Sequence, residues 1–227
     1  MGCQEPELLA YFRGTGTDTE CRTLEQVLAW EDVLLEMCHD YIQWLFPTDK
    51  PSRFSADAPL LDESLRRDFR EDEHIRMNFQ RGLRRFMSFL GLSLQVAEPQ
   101  VGSELDCQCS VRIVRATNFE KRLHMCWKGP HNHNWMRVSR VLRCLALVDM
   151  EHLQRALWRC LEEILADFPG MVDDCAVTHW RSEIVCTLDH SFAAALLASQ
   201  TLLLSFCSGY WKRFHENTTA VMEVRAC

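Results

Sequence analysis

Apolar side chains recur at helical spacing along much of this chain, and the polar residues between them fall on the opposite face. Leu24, Val27, Leu28, Leu34, Leu35, Cys38, Tyr41, Ile42 and Leu45 share one wide face, with Glu25, Asp32, Glu36 and Asp40 across from it, which predicts a first long helix. Thr23 and Gln26 form a capping-box pattern at its start, and Pro47 stops it by driving the preceding residue out of helical geometry. Beyond a loop containing Pro51 and Pro59, Asp62 is placed to cap a short helix carrying Leu65 and Phe69. A longer helix follows from about Asp72 to Leu90, with Ile75, Phe79, Leu83, Phe86 and Leu90 three to four residues apart and Gly91 suited to close it.

From Leu92 to His133 the periodicity is poor, apart from the alternating run Val111, Arg112, Ile113, Val114, which reads as an edge strand or hairpin arm. Helical order resumes at Asn134, where Val138, Val141, Leu142 and Leu145 make one face and Arg137, Arg140 and Arg143 the opposite one. Asp149 is then placed to cap a helix with the stripe Leu153, Leu157, Leu161, Ile164, Leu165 and Phe168, ended by Pro169 and Gly170. The expected fold is all-α: a mainly helical, bundle-like single domain with a short β-hairpin near residues 111–114. Residues 1–22 read as a flexible lead-in, 23–168 as the helical domain, and 169–227 as a tail with one helix around Phe192 to Phe206.

Composition narrows the class of function. At 227 residues, 47% hydrophobic and 25% charged, the chain has the makeup of an ordinary globular protein. A net charge of -7 argues against non-specific nucleic-acid or membrane binding by the chain as a whole. The 12 cysteines are scattered, several within amphipathic patterns where a free thiol acts as a small apolar residue, so reduced intracellular thiols are expected. No secretory n-region and h-region open the sequence, and Met1-Gly2-Cys3 lacks the Ser or Thr that a myristoylation signal needs where Pro6 stands. Ala193 to Cys207 is apolar, but too short to span the roughly 20 residues of a bilayer crossing, and reads as a core helix.

Candidate chemistry is sparse. Cys107, Cys109, Cys126, His131 and His133 are the densest set of metal-ligand types, but a Cys-x-Cys, a distant Cys and a His-x-His match no standard zinc spacing, so no metal and no cofactor is expected. His131-Asn132-His133-Asn134 reads as the start of a helix, with Asn as its cap. Between Leu105 and Arg143 eight basic residues (Arg112, Arg115, Lys121, Arg122, Lys128, Arg137, Arg140, Arg143) face two acids (Asp106, Glu120), a local balance of +6. That run reads first as a solvated helix face, with a platform for acidic peptide, phosphate or nucleic acid as the alternative.

One resemblance goes further. His39 followed by Tyr41-Ile42-Gln43-Trp44-Leu45-Phe46-Pro47 resembles the signature of the opioid growth factor receptor conserved-domain family. Ala58-Pro59-Leu60, Phe86 to Leu92, Asn118-Phe119 with Lys121-Arg122, His133-Asn134, Arg137 to Leu145, Glu151 to Gln154 and Leu161 to Leu165 resemble the same family in the same order, over roughly residues 24–168. The resemblance implies a non-enzymatic receptor or interaction domain that binds the opioid peptide met-enkephalin, restrains cell growth, and resides inside the cell, at the nucleus or nuclear envelope or in the cytoplasm, with peripheral membrane association. A pentapeptide with Tyr, Phe, Met and two charged termini calls for an aromatic groove beside a charge. Trp44 and Phe46, with Arg137, Arg140 and Arg143, are the expected ligand-binding residues on that basis.

Overall fold

The computed structural model describes residues 5–53, 55–96, 111–129 and 132–184. The expectations at Cys107, Cys109, His131 and the helix around 192–206 lie outside them. The described residues belong to one compact unit ending at Ile184 and are mainly α-helical, with a single small antiparallel hairpin among them.

The lead-in is not a lead-in. Glu7–Arg13 forms α1, whose Leu8, Leu9, Tyr11 and Phe12 are buried, with Tyr11 and Phe12 at 0% exposure. Phe12 meets Phe69 edge-on at 4.9 Å, and its carbonyl accepts a bond from the Asn78 amide. About two turns carry too few repeats to register as a period, yet four of the seven residues are core.

The first long helix is in fact three short ones: α2 (Leu24–Leu28), α3 (Asp32–Met37) and α4 (Tyr41–Leu45). The capping box of Thr23 and Gln26 opens α2 as expected, and α4 ends just before Pro47. The breaks between them coincide with arginines that take the backbone carbonyls a continuous helix would have used. Arg85 donates to the Trp30 carbonyl at 2.7 Å and to the Asp32 carboxylate at 2.8 Å. Arg137 donates to the carbonyls of Leu35 and Cys38 at 2.8 and 2.6 Å. Helical periodicity therefore survives in the apolar residues while the hydrogen-bond ladder is cut twice.

Asp62 caps α5 (Glu63–Glu71), and Asp72 caps α6 (Glu73–Phe89) through the amides of His74 and Ile75, both at the expected places. Gly91 follows α6 at φ +77°, and its missing side chain lets Arg122 and Phe119 approach closely. The chain then forms β1 (Leu92–Val96), which pairs antiparallel with β2 (Val111–Arg115), Leu94 opposite Ile113. The 111–114 run is thus one arm of a hairpin, and the other arm was hidden in the segment of poor periodicity. A helical turn α7 (Phe119–Arg122) runs into a π-helical turn at Leu123–Trp127.

Asn132 caps α8 (His133–Leu147) through the Asn134 amide. Helix α9 spans Glu151–Asp167, but Asp149 does not cap it: this residue takes a left-handed φ of +55°, Met150 holds the cap position, and the Asp149 carboxylate pairs with Arg70 at 3.2 Å. Beyond the expected end of the domain, Asp173 caps one more helix, α10 (Asp174–Ser182), which packs on α8 through the buried Trp180. With only one fully buried residue, α10 has no apolar stripe to announce it.

Candidate functional site

Of the five residues expected to meet a ligand, Trp44, Phe46 and Arg137 are buried, Arg140 is largely covered, and Arg143 is part-exposed. Trp44 is 2% exposed and Phe46 0%. Trp44 lies edge-on to Tyr11 at 5.5 Å, and Phe46 meets Phe79 and Phe86 at 5.8 and 5.5 Å. The hydroxyls of Tyr11 and Tyr41 and the indole N–H of Trp44 are buried here with no hydrogen-bond partner among the described residues.

The arginine row of α8 is not a solvated face. Arg137, 5% exposed, donates to the carbonyls of Leu35 and Cys38 and to Asn134 Oδ1, and its guanidinium lies 5.4 Å from the centre of the Tyr41 ring. One turn on, Arg140 donates to the Phe46 carbonyl at 3.0 Å, and burial lowers its pKa. Arg143 forms a two-armed pair with Asp49 (2.7 and 2.9 Å) and reaches Glu183 at 2.9 Å. Spacing of three residues puts all three on one side of α8, where each grips a successive piece of segment 35–49. The electropositive run thins out accordingly. Arg122 is buried against Phe89, Asp32 and Cys126, and Arg115 pairs with Asp167, so Arg112, Lys121 and Lys128 are the members of the eight whose side chains have neither a carboxylate nor a carbonyl partner among the described residues.

An open site lies on the other side of α8. Three indoles build its frame by donating in sequence to backbone carbonyls: Trp180 Nε1 to Trp135 (2.8 Å), Trp135 Nε1 to Trp127 (3.1 Å), and Trp127 Nε1 to Leu90 (2.9 Å). This ladder ties α10, α8, the π-helical turn and the end of α6 into one rigid wall. Against it, the loop after α9 leaves a cleft of about 750 Å³, lined by Lys128, Trp135, Asp167, Phe168, Met171 and Asp173 among others. That volume is within the range of roughly 300–1,000 Å³ usual for small-ligand sites. Trp135, Phe168 and Met171 supply an apolar floor, and Phe168 is braced by Phe119 at 6.1 Å between ring centres. Asp173 is held by accepting the Cys175 amide at 3.0 Å, and Asp167 by Arg115 at 2.7 Å. The cleft thus offers aromatic and thioether contact between acidic groups and one lysine.

Sequence reasoning did not single out Phe168, Met171 or the two aspartates as cleft residues, because the end of α9 and the loop after it carry no motif. Among the described residues no group of three or more His, Cys, Asp or Glu side chains could hold a metal ion. Cys126 is buried, its thiol pushed up to about 12 by loss of solvent. His133 packs edge-on to His39 at 4.9 Å, with Nε2 3.3 Å from Glu36 Oε1 but not aligned for a hydrogen bond. Burial, then Arg137 and His39, lower its pKa to about 3, so it is a neutral side chain at ordinary pH.

Comparison with known proteins fits this geometry into a family. The family described as "Opioid growth factor receptor (OGFr) conserved region" matches residues 19–183, which takes in α2 through α10 and every residue of the cleft. The chain belongs to the opioid growth factor receptor family. It is 32% identical to the mouse opioid growth factor receptor over 146 residues, 63% of this chain and 21% of that protein. The human opioid growth factor receptor is 31% identical over 170 residues, 72% of this chain and 23% of that protein. The chain therefore spans about a fifth of the length of the curated relatives it matches. No solved structure is significantly similar to it. The opioid growth factor receptor match continues past residue 168 and takes in α10, which packs on α8. No helix among the described residues is long and apolar enough to cross a membrane.

Proposed function

We propose that this chain is a non-enzymatic, receptor-type interaction domain whose ligand is a short peptide, met-enkephalin being the one its family implies. The observation that carries this reading is the cleft between the tryptophan ladder and the loop after α9, which lies wholly inside the family match. Its groups complement such a peptide. Trp135, Phe168 and Met171 would receive the Tyr, Phe or Met side chains, Asp173 the terminal ammonium, and Lys128 the terminal carboxylate. Trp44, Phe46, Arg137, Arg140 and Arg143 serve the site at one remove, by holding segment 35–49 against the α8 that presents Trp135. Growth restraint and a nuclear or nuclear-envelope location follow from the same family reading.

Calorimetry with met-enkephalin and a scrambled pentapeptide tests the proposal. Met-enkephalin alone should bind, and Lys128→Gln and Asp173→Asn should weaken it by about fivefold or more without changing the thermal midpoint, since Asn still caps α10. Equal or absent binding of the two peptides removes the peptide-receptor reading. Binding that ignores both cleft variants places the ligand elsewhere.

A further inference from the structure

The arginines of α6 divide between two flanks with different fates. Arg81 and Arg85 pair with Glu25 and Asp32 on one side of the helix. On the other flank Arg76, Gln80 and Arg84 follow one another at intervals of four residues, and neither arginine has a carboxylate partner among the described residues. Arg84 reaches only the carbonyl of Leu94 in β1, at 3.3 Å. Helix α9 presents His152, Arg155 and Arg159 along one outer strip, and neither of these arginines is ion-paired among the described residues. The two strips are adjacent at their N-terminal ends, where burial and then the charges of Arg76 and Arg155 lower the pKa of His152. Toward the C-terminal ends the hairpin bridges the two helices, β1 against α6 and β2 against α9, and exposes Arg112.

Nine of the 19 described arginines pair with a carboxylate; of the ten that do not, Arg76, Arg84, Arg112, Arg155 and Arg159 lie on neighbouring elements and together form an electropositive surface. Its spacing suits a particular chemistry. Arg155 and Arg159 are four helical residues apart, a rise of about 6 Å. Alternate side chains of an extended chain project on one face about 6.6 Å apart. Arg76 and Arg84, roughly 12 Å apart along α6, match side chains four residues apart in the same extended segment. Guanidinium forks donate to carboxylates in two-point contacts. A long polyanion is disfavoured by the chain's charge of -7 and by Glu151 and Glu163 at the margins of the strip.

We propose that the surface formed by Arg76 and Arg84 of α6, Arg155 and Arg159 of α9 and Arg112 of β2 docks an extended acidic segment of a protein partner, with acidic residues at alternate positions. This surface is separate from the cleft, and the proposal stands or falls independently of the peptide-receptor reading. Fluorescence anisotropy of the full chain with a labelled peptide of about twelve residues, Glu alternating with Ser, tests it. The same peptide with Gln for Glu, and a single-stranded oligonucleotide of equal charge, serve as comparisons. The Glu peptide should bind, lose affinity as salt rises, and weaken about tenfold in the double variant Arg155→Gln/Arg159→Gln. Arg181→Gln, at an arginine of α10 without a carboxylate partner among the described residues, should leave binding unchanged. If the α9 double variant unfolds, Arg84→Gln with Arg112→Gln removes charge from the same surface on other elements. Absent binding, equal binding of the Gln peptide, or insensitivity to these variants overturns the proposal. Tighter binding of the oligonucleotide with the same variant dependence overturns it in favour of nucleic acid.

Discussion

Replacing Arg137 with Met separates an arginine that builds the fold from one that waits for a ligand. Its guanidinium donates to two backbone carbonyls, at 2.8 Å (Leu35) and 2.6 Å (Cys38), and to Asn134 Oδ1 at 2.9 Å. Met fills a similar volume without donors, so cavity formation is minor and the change reports on polar contacts. Hydrogen bonds from a charged donor contribute about 1.5–3 kcal/mol each, and a buried carbonyl left unpaired costs about 1–3 kcal/mol. Against this stands the relief of no longer burying a cation. Two orphaned carbonyls less that relief give an expected loss of about 3 kcal/mol, equivalent to a fall in thermal midpoint of roughly 6–12 °C for a chain of this size. Arg137→Lys should recover only part of it, because one ammonium cannot replace a fork that spans both carbonyls. Arg143→Gln, which breaks a more exposed pair, should cost under about 1 kcal/mol. Urea unfolding read by tryptophan fluorescence measures all three. A stability of Arg137→Met within about 0.5 kcal/mol of the wild type would refute the reading of α8 as a clamp on segment 35–49.

Gly91→Ala should destabilise by about 2–4 kcal/mol, since a left-handed alanine is strained and its Cβ would meet Arg122 Cβ at 2.8 Å and Phe119 Cα at 3.0 Å; an unchanged thermal midpoint would contradict the close approach there. Tyr41→Phe should be neutral or stabilise by up to about 1 kcal/mol, because the buried hydroxyl has no partner to lose, and a clear loss in urea unfolding would mean that the oxygen is engaged. Burial also pushes the Tyr41 phenol up to about 12, so its ultraviolet ionisation should lag behind that of an exposed tyrosine. His133 should remain neutral in nuclear magnetic resonance titrations down to well below pH 5. Its folded pKa of about 3 lies below the ordinary 6.5, so between those values the unfolded chain binds the extra proton and stability falls as pH drops. His133→Asn should flatten that slope, and an unaltered slope would assign it to other groups.

Much of the helical core was legible along the chain. The period of α6, α8 and α9, the caps at Thr23, Asp62 and Asp72, and the stop at Pro47 are local features, set by residues within a turn of one another. So was the hairpin arm at 111–114, whose alternation is its own signal. The short helices α1 and α10 were not legible, because one or two turns hold too few apolar positions to establish a period and their burial depends on distant partners such as Phe69 and Trp135. The cleft was half legible at best: Trp135 lay within a readable helix, while Phe168, Met171 and Asp173 follow its end in a loop without a motif.

By itself, then, the sequence determined which residues are apolar, at what period they recur and where helices can begin and end, and through ordered local segments it carried the family. Only the tertiary structure decided what the arginines do. Along the chain Arg137, Arg140 and Arg143 look like a face for solvent or an acidic ligand, since charge and spacing are all that a one-dimensional pattern records. In the fold the carbonyls of Leu35, Cys38 and Phe46 come within reach of those guanidiniums, from about a hundred residues away in sequence. A buried carbonyl needs a donor and a buried cation needs acceptors, and neither requirement can be seen until both partners occupy the same place.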